Sequence, residues 1–171
     1  MDIRVKLAQT VTEEFVRRRR ETALPAYLPV ELAQQRACYV YIYVKPGQHL
    51  KAVCGYPLPR QKTLAEEIRE NTVQAISGPR YLFIKKADLG SLMYSVAVLD
   101  PLQRVSDLTH LQPQKFGLYL RSEAGRWAVV MPQRPGVETP QDQLATALRE
   151  ASVSQRRASY IMYRFGVGYY E

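Results

Sequence analysis

Cys54 and His49 lie five residues apart, with Lys51 between them and Cys38 a short way upstream. A cation near a thiol lowers its pKa, and an imidazole within reach of a thiol serves as a base. A thiol enzyme working through Cys54 is therefore one chemistry to weigh. An odd spacing along one strand, however, puts His49 and Cys54 on opposite faces, and free cysteine is among the most buried residue types. Cys54 is accordingly read as a structural thiol. Arg80 and Tyr81 follow a Gly78-Pro79 break; the arginine there either binds an anion or ties down its loop. Tyr39, Tyr41 and Tyr43 form an aromatic stripe flanked by Lys45 and Lys51. Such a stripe stacks bases on an open sheet or covers a sheet against a helix or loop. The same two-sided choice applies to Arg17, Arg18, Arg19 and Arg20, a phosphate clamp or a solvated helix end. Asp88 and Asp107 are isolated, so no paired general acid and base is visible.

Other classes fall away on composition. Two cysteines supply neither a disulfide framework nor a zinc quartet, and two histidines no multi-histidine metal site. No metal or cofactor is implied, and no phosphate-binding loop or dinucleotide fingerprint occurs. No apolar run approaches the roughly 20 residues of a membrane span, and the N-terminal residues lack the apolar core of a signal peptide. At 171 residues, 46% hydrophobic and 23% charged, the chain is expected to be a single domain over 1–171, cytoplasmic, with reduced thiols. The net charge of +8 makes a polyanion partner plausible without requiring one.

The elements that position these residues are legible in outline. Alternation of Tyr39, Tyr41 and Tyr43 with Cys38, Val40, Ile42 and Val44 is strand periodicity. Residues 45–48 make a Pro-Gly turn and residues 50–54 a return strand, completing a hairpin. Residues 2–21 read as an amphipathic helix with Leu7, Val11 and Phe15 on its apolar side, Ile3, Ala8 and Val16 nearby, and Asp2 as cap. Two Leu-Pro pairs, at 24–25 and 28–29, then read as an extended link. Thr63-Leu64-Ala65-Glu66 is a capping box opening a helix over 64–77. Residues 92–99 form a short apolar run typical of a buried strand, and residues 100–115 read as irregular with at most one helical turn. A second hairpin spans 116–121 and 126–131. Thr139-Pro140 opens a helix to 151, residues 160–165 make a last strand, and 166–171 are left as a tail. Strand pairs interleaved with lone helices predict an α+β fold with a mainly antiparallel sheet.

In this order the pieces resemble the AMMECR proteins, whose prokaryotic members are called AmmeMemoRadiSam system protein A. The family hallmark is a hexapeptide, Leu-Arg-Gly-Cys-Ile-Gly, at the end of a hairpin. Leu50-Lys51-Ala52-Val53-Cys54-Gly55 stands in its place. Gly78-Pro79-Arg80-Tyr81 is similar to the family's Asp-Pro-Arg-Phe, and residues 95–99 to its Val-Ser-Val-Leu strand. Gly117-Leu118 and Met131-Pro132-Gln133 are similar to its second hairpin, and Tyr163-Arg164-Phe165 to its closing strand. The resemblance implies a larger and a smaller subdomain flanking a cleft near the hexapeptide. It also implies Memo-type and radical-SAM proteins as partners. The cleft would be rimmed by Lys51, Cys54, Gly55, Arg80, Tyr81, Pro132 and Gln133, offered to a small molecule or partner enzyme.

Three departures mark this chain. The family cysteine falls on Val53, with Cys54 one place later, on the other face of a strand. The arginine is Lys51, which cannot fork onto a carboxylate or phosphate. The first glycine is Ala52. The first expectation is thus an accessory protein of unassigned reaction. The alternatives are the Cys54 enzyme and a nucleic-acid binder using Lys45, Lys51, Lys85, Lys86 and the arginine run. For the last, weak binding is expected: a dissociation constant no tighter than about 1 µM at physiological salt, weakening steeply as salt rises. Fluorescence anisotropy with a labelled oligonucleotide checks it; nanomolar binding to one sequence would reverse the order of the three.

Overall fold

The structure, a computed structural model, describes residues 1–171 apart from Gln48, residues 79–83 and residues 155–158. The chain divides into two compact units, Met1–Val98 with Gly168–Glu171, and Leu99–Val167. Each has its own sheet and core.

The first unit is built on a four-stranded sheet ordered β2-β1-β3-β8, with β1 Cys38–Val44, β2 His49–Gly55, β3 Leu92–Leu99 and β8 Val167–Tyr170. Both β2 and β3 run antiparallel to β1. Gly47, at φ 95, takes the left-handed backbone that the first turn requires. Val40 and Ile42 are completely buried on one face. Helices α1 (Ile3–Arg18) and α3 (Leu64–Ser77) join them in one core through Val5, Ala8, Leu64 and Ile68. Asp2 caps α1 by accepting from the Arg4 N–H at 2.9 Å, and Arg17 and Arg18 occupy its last turn, where cations suit the dipole. Its buried stripe is Val5, Ala8, Val11, Thr12 and Val16. Leu7 and Phe15 are only partly buried and Ile3 is 38% exposed, so the core-facing side is rotated from the one the leucine spacing suggested. Directly after the expected extended link a short helix, α2 (Val30–Ala33), buries Leu32. The predicted capping box of α3 is present, Thr63 Oγ1 accepting from Glu66 N at 3.2 Å and Glu66 Oε2 from Thr63 N at 3.1 Å.

The second unit has the sheet β4-β7-β5-β6, antiparallel throughout, with β4 Gln103–Val105, β5 Gly117–Ser122, β6 Trp127–Val130 and β7 Tyr160–Phe165. Helix α4 (Pro140–Glu150), capped by Thr139, packs Leu144, Ala147 and Leu148 against Leu118, Leu120 and Val130. On the other face Tyr119 stacks on Tyr163 at 5.7 Å between ring centres. Strand β4 lies in the segment expected to be irregular; the rest of 100–115 matches that expectation, with its single helical turn at Leu108–His110.

No helix among the described residues is long and apolar enough to cross a membrane. Thr63→Ala removes an N-cap acceptor and is expected to cost about 1 kcal/mol in urea unfolding. Thr10→Ala on the exposed face of α1 is expected to change stability by less than about 0.5 kcal/mol.

Candidate functional site

Strand β2 carries three of the expected site residues, and its pairing sets where they face. Tyr39 lies opposite Gly55, Val40 opposite Cys54 and Ile42 opposite Ala52, but Tyr43 then pairs with Leu50. Lys51 is the extra residue of a β-bulge. Directly opposed residues share a face, so Cys54 and Ala52 lie with Val40 and Ile42 toward the helices. Val53 lies with Tyr41 on the other side. Past the bulge, His49 pairs with Val44 and so also lies on the Cys54 face. The opposite-face expectation for His49 is therefore wrong, because the bulge inserts one residue and reverses the alternation. The imidazole still cannot serve the thiol: four pairing positions separate them, about 13 Å along the strand.

Beneath Cys54 runs a polar network that the sequence reading did not single out. Along α3, Glu67, Asn71 and Gln74 recur at spacings of four and three, a single helical face bordering the apolar one. Glu67 and Asn71 are each 1% exposed. Glu67 Oε2 accepts from the backbone N–H groups of Arg60 and Gln61, both at 2.8 Å. Asn71 Nδ2 donates to the Cys38 carbonyl at 3.0 Å and to Glu67 Oε1 at 3.4 Å. The Cys54 thiol donates to Gln74 Oε1 at 3.5 Å, which also accepts from the Tyr56 hydroxyl at 3.0 Å. Gln74 Nε2 donates to Glu70 Oε1 at 2.7 Å. The Arg60 guanidinium sits 4.3 Å above the centre of the Tyr56 ring. Half-buried and with polar neighbours, Cys54 is neither the dry thiol of a pure core position nor a thiol beside a base.

Electrostatics keep both thiols protonated. Burial pushes Cys54 above the ordinary thiol range; Glu70 and Glu67 add to this, while the Gly55 N–H and Arg60 act against it. Complete burial raises Cys38 further, against the opposing hydrogen bond from Asn71.

Gly55 has a tight packing role. A Cβ there would collide with the Tyr39 ring and come within 2.6 Å of the Cys38 carbonyl oxygen. The aromatic ring thus lies over a glycine across the strand pair. Tyr39, Tyr41 and Tyr43 stack in succession at 6.4 and 6.2 Å. They lie with Ser95 and Ala97 of β3 on the face away from α1 and α3.

Arg80 and Tyr81 lie outside the described residues. Pro132 and Gln133 belong to the second unit, where Gln133, at φ 57, donates its N–H to the Pro113 carbonyl at 2.8 Å and its side-chain amide to Gln114. Of the basic residues, Lys45 donates its N–H to the Ser91 carbonyl, which brings it to the turn that Lys86 opens. No group of three or more His, Cys, Asp or Glu side chains among the described residues could hold a metal ion.

Two antiparallel sheets with packed helices, and a hairpin ending over a polar helix face, define an α+β protein. A family profile described as AMMECR1 matches residues 5–170, and the chain belongs to that family. A protein from Thermotoga maritima is 30% identical over 168 residues, covering 98% of this chain and 96% of its own. Protein CA_C1420 of Clostridium acetobutylicum is 27% identical over 165 residues, but the chain spans only 34% of that protein. The crystal structure of the uncharacterised protein PH0010 from Pyrococcus horikoshii superimposes with a TM-score of 0.84 at 20% identity, covering 97% of this chain and 88% of that one, and shares the fold.

Gly55→Val is expected to cost about 3 kcal/mol or more, because the new side chain displaces the Tyr39 ring. Cys54→Ser is expected to cost only about 1 kcal/mol, since a hydroxyl keeps the Gln74 acceptor. Chemical unfolding of the two variants checks the order.

Proposed function

We propose that this AMMECR1-family protein is a binding accessory in which the end of β2 recognises a small molecule or a partner enzyme and performs no thiol chemistry. The observation that carries the reading is the state of Cys54. Its thiol is a hydrogen-bond donor to Gln74, held protonated by burial and by neighbouring acids, with His49 too far along the strand to serve it. A nucleophilic cysteine needs the reverse surroundings. What is offered instead is a set of recognition groups: half-buried Lys51 at the bulge, the Tyr56 hydroxyl and the Arg60 guanidinium beside it. Family resemblance points to Memo-type and radical-SAM proteins as the partners to try first. Lys51 and Gly55, with Arg80, Tyr81, Pro132 and Gln133, remain the residues proposed to contribute to recognition.

The test joins thiol chemistry to partner capture. Because the folded-state thiol pKa is raised, the thiolate fraction at pH 7 lies below that of a free cysteine. Alkylation of Cys54 by a maleimide should be slower than that of a cysteine peptide, and should accelerate only above the ordinary thiol pKa of about 8.5. The purified protein should retain Memo-type and radical-SAM proteins of the same genome after Cys54→Ser and lose them after Lys51→Glu. Rapid thiolate reaction at neutral pH, with activity lost but stability kept in Cys54→Ser, would reject the reading in favour of an enzyme.

A further inference from the structure

On another side of the first unit, α1 and the segment that follows it enclose a groove of about 360 Å³. This is the low end of the range of about 300–1,000 Å³ in which small-molecule sites fall. Its walls are Ile3 and Leu7 of α1, Leu24, Leu28 and Leu32 of the chain leading into and through α2, and Ala65 of α3. Pro25 and Pro29 also line it, and their fixed backbone angles hold that wall in place without a ligand. The groove is separate from the Cys54 network. Ala65 and Glu67 are two residues apart on α3, about 200° around the helix, and only Glu67 joins that network.

The polar groups of the lining are few and of one kind. Lys6 is its one charged residue, exposed at the edge, and no aspartate or glutamate lines the groove. Thr10 spends its hydroxyl on the Lys6 carbonyl, at 2.9 Å. Thr22 is 7% exposed, and its Oγ1 has no hydrogen-bond partner among the described residues. An apolar trough with one cation at its edge and one unspent hydroxyl in its wall complements an apolar body ending in a single negative charge.

We propose that this groove binds an aliphatic monocarboxylate, the chain lying among Leu7, Leu24, Leu28 and Leu32 and the carboxylate meeting Lys6. The binding is independent of the function proposed for the end of β2.

Octanoate, kept well below micelle-forming concentrations, is the probe, with octanol and octylamine as controls. Methyl resonances of the full chain are followed by NMR, and binding by calorimetry. Octanoate is expected to saturate and to shift the methyl signals of Leu7, Leu24, Leu28 and Leu32, with octylamine binding at least about fivefold more weakly. Lys6→Met, on an exposed position, should weaken octanoate about threefold to fivefold and leave octanol unchanged. Ala23→Trp, also exposed, should fill the groove and abolish binding of both while the melting temperature stays near that of the parent. Equal binding of all three probes, shifts confined to other methyl groups, or no saturable binding would overturn the proposal. So would a concentration-dependent dimer that Ala23→Trp dissociates, which would make a second copy the occupant.

Discussion

A carboxyl group buried with no ion-pair partner among the described residues governs the first unit. Placing Glu67 at 1% exposure costs several kcal/mol unless its oxygens are matched by donors. The donors are two consecutive backbone N–H groups, of Arg60 and Gln61, and the amide of Asn71. This requirement fixes the loop after β2 onto α3. It also fixes Asn71, whose amide in turn holds the Cys38 carbonyl at the start of β1. Hairpin, loop and helix are thereby registered by one polar knot within an otherwise apolar core.

The knot explains why the hexapeptide region has its particular chemistry here. Cys54 faces α3 and finds Gln74, whereas Val53, in the place of the family cysteine, faces the tyrosine side with Tyr41. A displacement of one residue is a change of face, so the thiol of this chain meets surroundings that a cysteine at 53 would not. Those surroundings raise its pKa through burial and nearby acids. Gly55, by contrast, is needed in place because the Tyr39 ring occupies the space above it.

How much of this was legible follows from range. The first hairpin, the capping box at Thr63, the N-cap at Thr139 and the buried strand at 92–99 are local patterns, and the structure contains them nearly where the residues indicated. Helix α2, β4 and β8 are three or four residues long, too short for periodicity to speak. They exist because a neighbouring strand or helix receives them. The bulge at Lys51 leaves no residue signature, and it reversed the inference about His49. Glu67, Asn71 and Gln74 did share a helical spacing, but polar residues at that spacing ordinarily mark the solvated side of a helix. Only the burial of Glu67 and Asn71 reveals an internal hydrogen-bond network.

Strand β8 carries a further implication. Val167–Tyr170 complete the sheet begun by β1, β2 and β3, with the whole second unit threaded between β3 and β8. The two passages are clasped by the Asp100 N–H on the Gly166 carbonyl at 2.9 Å. During synthesis the chain emerges N-terminal end first. The first unit must therefore wait, with one sheet edge open, through the emergence of the second before its own last strand arrives. The part made earliest is completed last, and an exposed edge of that kind is what nascent-chain chaperones shield from mispairing.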